Sequence, residues 1–100
     1  MAMKIDIKKG YPHHEVSSII KSALIRDAHI AEYKKKKYGG ICKRFEEEYN
    51  MNSAVFMDKW GSGKLDDRDD YFDWFAAKKG FDVWDRRLQI LAGVNVLNER

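Results

Sequence analysis

The chain has 100 residues, 44% of them hydrophobic and 35% charged, with a formal net charge of +3. That balance is too apolar for a wholly disordered chain, and no apolar run approaches the roughly 18 residues that cross a bilayer, so one small cytoplasmic domain without a membrane span is expected. The lone Cys42 excludes both an internal disulfide and a Cys-x-x-Cys metal clip.

In chain order, Met1-Ala2-Met3-Lys4 lacks the apolar core of a signal peptide, which supports the cytoplasmic expectation. Residues 3–9 alternate in type, with Ile5 and Ile7 on one side and Lys4, Asp6 and Lys8 on the other, before Gly10 breaks the pattern. This predicts one short N-terminal strand. A single strand cannot satisfy its own backbone groups, so it has to pair with a second copy or with another protein's sheet edge, or stay mobile.

From Pro12, the residues Val16, Ile19, Ile20, Ala23, Leu24, Ala28, Ala31, Tyr38, Ile41, Phe45 and Tyr49 recur mostly at intervals of three and four. The spacing predicts a long helix over about 13–49. Gly39 and Gly40 interrupt its composition without shifting its phase. Each glycine weakens the helix by about 1 kcal/mol relative to alanine, and a true break there is the alternative. Asn50 can adopt the left-handed conformation that ends a helix, and Asn52 or Ser53 can cap the next one. A short corner helix is therefore expected over about 53–60, stopped by Gly61-Ser62-Gly63.

Asp66, Asp67, Asp69 and Asp70 complement the positive end of a last helix expected over about 67–92, with residues 93–100 as a tail. In that helix Trp74, Ala77, Phe81, Trp84, Leu88 and Leu91 form an unbroken apolar seam flanked by charge. This is the spacing of a helix packing lengthwise on another. The fold class that follows is mainly α: an antiparallel helical hairpin with a short corner helix and one short N-terminal strand, with Tyr38, Phe45 and Tyr49 meeting Tyr71, Trp74 and Phe75. A hairpin of this size buries a modest core, so a homo-oligomer, simplest as a dimer, is expected.

No run of residues assembles a catalytic or metal site, and no cofactor is implied. Gly61-Ser62-Gly63-Lys64 lacks the upstream glycine and the following Ser or Thr of a phosphate loop, since Met57 and Leu65 stand there. His13 and His14 are adjacent and so diverge by about 100° on a helix, and His29 has no partner in a His-x-x-x-His frame. The aspartate cluster lacks the glycine-turned calcium loop and reads as helix-start charge.

Charge is uneven along the chain. Residues 1–50 hold 11 Lys and Arg against 7 Asp and Glu, whereas residues 51–100 hold 8 against 9. The basic half centres on Lys34, Lys35, Lys36 and Lys37, followed by Lys43 and Arg44, a set that can attract phosphate or serve as a solvated face. Contiguous lysines spread around a helix, so only some can meet one nucleic-acid backbone.

From Phe45 onward the order of caps and aromatics resembles small helical antitoxin proteins of bacteria and archaea, which are encoded beside a small toxin. The matching residues are Tyr49-Asn50-Met51-Asn52 at the corner, Phe56, Trp60, the turn Gly63-Lys64-Leu65, then Asp67 and Asp70 with Tyr71, Phe72 and Trp74. Asn50 stands where the pattern has glycine and Asn52 where it has serine, each able to do the same backbone task. The resemblance covers about half the chain. It implies a non-enzymatic protein that neutralises a cognate toxin by stoichiometric binding. The expected partner-binding residues are Ile5 and Ile7 of the strand and exposed Val16, Ile20 and Leu24 of the first helix. The alternatives are a basic helical dimer that binds DNA or RNA through Lys34–Lys37, Lys43 and Arg44, and a purely structural homodimer.

Overall fold

The computed structural model describes Asp6 and residues 10–94, and these are mainly helical with no strand among them. The expected strand over residues 3–9, with Ile5 and Ile7, lies outside the described residues apart from Asp6. Positions 95–100 of the expected tail lie outside them as well.

Pro12 sits one residue before the first helix, in an extended conformation with φ −60° and ψ 132°, and its carbonyl accepts the Val16 N–H at 3.1 Å. Helix α1 then runs without a break through His13–Tyr49, crossing Gly39 and Gly40. It ends where Asn50 enters the left-handed region with φ 50° and ψ 50°, a conformation that short polar side chains tolerate. Asn52 caps α2 (Ser53–Gly61) by accepting the Val55 N–H at 2.8 Å.

Helix α3 spans Asp69–Ala92, so it begins two residues later than the acidic run suggests. Arg68 is still extended, with φ −96° and ψ 141°, and is ion-paired with Asp66 at 3.3 Å. Only Asp69 and Asp70 therefore occupy the first turn and complement its dipole.

Packing pairs α1 with α3 in opposite chain directions. Tyr49 meets Asp70, Phe45 meets Trp74, Gly39 meets Phe81, Lys35 meets Asp85 and Asp27 meets Arg87. All six seam residues of α3 are at least partly buried, in a graded way. Trp74 and Ala77 are sealed, whereas Phe81, Trp84, Leu88 and Leu91 are half-buried. The core sits at the corner, where Cys42, Phe45, Phe56, Tyr71, Trp74 and Ala77 form one buried cluster. Trp74 stacks on Phe56 with ring centroids 4.0 Å apart and donates its indole N–H to Ser53 Oγ at 2.9 Å. Ser53 N–H in turn donates to Glu46 Oε2 at 2.8 Å, so the corner's one buried polar side chain is satisfied.

Two of the expected aromatic contacts are made elsewhere. Phe75 stacks on Trp60 of α2, with centroids 4.6 Å apart, and Tyr38 lies against Gly80 in the middle of α3. Register accounts for Tyr38, which falls opposite Gly80 once Phe45 is opposite Trp74, and α2 accounts for Phe75. That helix places a tryptophan over the far edge of α3's first turns, and that ring occupies the face of Phe75.

Tyr49 links the ends of α1 and α3 by donating its hydroxyl to Asp70 Oδ2 at 2.6 Å. That bond raises the phenol pKa, because the phenolate would lose it and face a carboxylate, and partial burial adds to the rise. As pH rises past about 10 the unfolded chain gives up this proton first. The linked stabilisation is complete below that pH and is lost as pH climbs through the folded value. Urea midpoints followed from neutral to strongly alkaline pH are expected to fall less steeply for Tyr49→Phe than for the parent. Equal slopes would contradict the assignment.

Candidate functional site

Two regions hold side chains that could act on another molecule. The first is a cavity of about 210 Å³ on the corner, lined by Gly39, Cys42, Glu46, Ser53, Lys78 and Phe81. Its thiol is Cys42, which is 6% exposed. Burial pushes this thiol's pKa up, and the Ser53 hydroxyl and the Lys78 charge offset that only in part. A protonated, enclosed thiol is a poor nucleophile. Iodoacetamide is therefore expected to alkylate Cys42 far more slowly in the native chain than in urea. Comparable rates under the two conditions would show that the thiol is open. Among the described residues no three His, Cys, Asp or Glu side chains converge as a metal-binding group.

The second region is the end of the helix pair away from the corner. Helix α1 has 37 residues and α3 has 24, and both reach the corner, so α1 is the longer arm at the open end. The register set by Phe45 with Trp74, Gly39 with Phe81 and Lys35 with Asp85, followed to the end of α3 at Ala92, leaves α1 from His13 to about Ile25 beyond it. At about 1.5 Å per residue this arm projects roughly 20 Å. Where the arm leaves α3, Lys21, Leu24, Ile25, Ala28, Leu91 and Val94 line an open cleft of about 360 Å³.

The expected anchors are positioned differently from a fully exposed set. Val16, Ile20 and Leu24 are half-buried. The exposed apolar side chains of the arm are Ile19 at 64% and Ile25 at 57%, with Val94 at 45% across the cleft. The cause is helical phase. Val16, Ile20 and Leu24 continue the face that Ala31 and Phe45 turn toward α3, while Ile19 and Ile25 point to its flanks. The doublets Ile19-Ile20 and Leu24-Ile25 carried that signal, because adjacent apolar residues on a helix widen the apolar face beyond one seam.

The basic set divides by direction. Lys35 turns toward α3, where it pairs with Asp85 at 2.9 Å and lies over the Phe81 ring. Lys34 is half-buried on the flank. Lys36, Lys37, Lys43 and Arg44 are exposed. Of the six basic positions singled out in the sequence, four thus remain on the solvent side. Arg26, which precedes the run, is exposed as well.

No helix among the described residues is long and apolar enough to cross a membrane. Comparison with protein-family models, with curated proteins and with solved structures yields no match to this chain.

Proposed function

We propose that this protein is a non-enzymatic, antitoxin-like interaction protein that neutralises a cognate toxin by stoichiometric occlusion, gripping it with the open end of the helix pair. The carrying observation is the uneven burial along the pair. A sealed aromatic corner holds the helices together, and the far end presents an apolar cleft lined by exposed Ile25 and Val94, with Ile19 exposed on the other flank of the projecting arm. Single exposed apolar residues are ordinary, but several grouped around a concavity at one end are what an interface anchor uses. The N-terminal strand expected over residues 3–9, joined to the arm through Gly10, would extend the partner's sheet edge next to these anchors. Hairpin, strand and anchors then act as one unit, with the corner serving only as a rigid mount.

The test is co-expression with the product of the neighbouring gene. The expected result is a stable complex and rescue of growth, with both lost in Ile19→Asp/Ile25→Asp while the helix content stays at the parent level. Both positions face water, so the variant keeps its fold. Failure to bind that product or to rescue growth would remove the proposal. A purely structural homodimer would use the same surface, and light scattering separates it: a monomer in the absence of the partner agrees with the toxin-binding reading. A dimer that the same double substitution dissociates, with no binding of the neighbour's product, would replace that reading.

A further inference from the structure

We propose that the outer face of α1, from Arg26 to Arg44, binds the phosphate backbones on either side of a groove in a nucleic-acid duplex. This surface lies in the middle of α1, on the side turned away from α3, and is separate from the open end. It does not coincide with the lysine run. Lys34 and Lys35 leave it, and Arg26, Tyr33 and Gly40 join it.

The arrangement of the face carries the inference. At about 100° per residue, Lys36 and Lys43 fall in one row and Arg26, Lys37 and Arg44 in a second, roughly 100° further round the helix. Tyr33 and Gly40 fall between the rows, and every one of these residues is exposed. Two cationic rows separated by a low central spine suit two phosphate walls better than they suit one strand. A helix of about 10 to 12 Å in diameter fits a major groove of about 12 Å. The longer row runs from Arg26 to Arg44, about 27 Å or the rise of roughly eight base pairs, and the shorter one from Lys36 to Lys43, about 10 Å or roughly three base pairs.

The cations of the face are uncompensated within the chain. Among the described residues the salt bridges belong to Lys35, Arg68, Lys78 and Arg87, and none to the five cations of the two rows. Glu32 is the one acidic residue between Asp27 and Phe45. Glu47 and Glu48 stand one turn beyond Lys43 and Arg44 with no salt bridge to either among the described residues, so the face from Arg26 to Arg44 keeps a net positive charge that suits an anionic partner.

Gly40 is the second, independent observation. Gly39 has a packing reason, because an added Cβ there would meet the Phe81 ring at 3.2 Å. At Gly40 nothing lies within 4 Å of an added Cβ, so packing does not require the loss of helix stability that a glycine brings. A bare backbone at the middle of the spine lets a sugar–phosphate edge come close. Tyr33, at 65% exposure, supplies an aromatic surface on the same spine. The proposal assigns the five cations to phosphates, and no Asn or Gln stands on the face to read adenine edges, so binding is expected to depend little on sequence. A membrane surface is the poorer fit, because the exposed apolar side chains between Arg26 and Arg44 are only Ile30 and Tyr33, short of the continuous apolar face that an interfacial helix inserts.

The experiment uses the full chain, with fluorescence anisotropy on a random-sequence DNA duplex of about twenty base pairs, longer than the contact span. Five phosphate contacts give an expected slope of log affinity against log salt of about −4.5, a fall of roughly 500-fold between about 50 and 200 mM. Lys36→Glu/Lys43→Glu, which empties one row, is expected to weaken binding by at least about tenfold at low salt. Lys79→Glu/Arg86→Glu makes the same change in net charge on the exposed outer face of α3 and is expected to change affinity far less. Gly40→Leu is expected to raise the melting temperature and yet lower affinity, a split that a merely structural glycine would not produce. The inference is overturned by absence of binding at low salt or by equal losses in the two charge variants. It is likewise overturned by a single strand binding as tightly as the duplex, or by phosphatidylglycerol vesicles displacing the duplex at equal phosphate.

Discussion

Trp74→Ala is expected to remove about 3 to 5 kcal/mol of folding free energy, the largest loss available from a single side chain in this molecule. The indole is wholly buried, and like the Tyr71 ring it contacts aromatic partners from both other helices. It stacks on Phe56 of α2 at 4.0 Å and on Phe45 and Tyr49 of α1 at 5.7 and 5.9 Å. Truncation opens a cavity among three rings that cannot readily collapse into it, because Phe56 is held by α2 while Phe45 and Tyr49 are held by α1. It also leaves the Ser53 hydroxyl inside the corner without the indole N–H that it accepts. Small domains are stable by only about 5 to 15 kcal/mol, so the variant should lie close to its unfolding threshold at ambient temperature. Trp74→Phe keeps a ring on Phe56 and loses the hydrogen bond, and should cost about half as much. Urea unfolding followed by circular dichroism reads both. A loss below about 1 kcal/mol for Trp74→Ala would mean that the corner is not the cooperative centre of the fold. Trp84 stands in the same seam but is half-buried, so its truncation is expected to cost much less.

The second large effect is expected at Gly80. An added Cβ there would stand 3.0 to 3.1 Å from three carbons of the Tyr38 ring, while one at Gly39 would stand 3.2 to 3.3 Å from the Phe81 ring. These are two halves of one reciprocal contact. Each helix offers a glycine to the aromatic ring of the other, at neighbouring positions. Gly→Ala in a helix interior ordinarily gains about 1 kcal/mol. That gain is expected at Gly40, where the space is open. At Gly80 it is opposed by the clash, and Gly80→Leu should overpack the contact for a net loss of about 1 to 3 kcal/mol. Gly39→Leu/Gly80→Leu should lose less than the two single effects together, because the first substitution already parts the helices. Thermal melts of the three single variants decide the matter. Gly80→Leu melting above the parent, as Gly40→Ala should, would show that the helices are not in close contact there.

Sequence alone was enough for everything that repeats with the period of one helix. The limits of α1, the left-handed Asn50, the Asn52 cap and the six inward positions of α3 all follow from apolar spacing and end-capping chemistry, which act within a few residues and need no partner. What it could not supply is the pairing between helices, because register depends on which side chains meet across a gap. Gly39 read as a weak point in α1, and only the Phe81 ring against it shows that it is a site of close approach. Gly80 carried no signal of its own. Lys35 and Lys36 are indistinguishable as residue types, yet one is neutralised by Asp85 while the other faces water, a difference set by their 100° separation and by where α3 lies. The half-burial of Val16, Ile20 and Leu24 has the same origin. They belong to the face that α3 covers, and α3 ends before it can seal them.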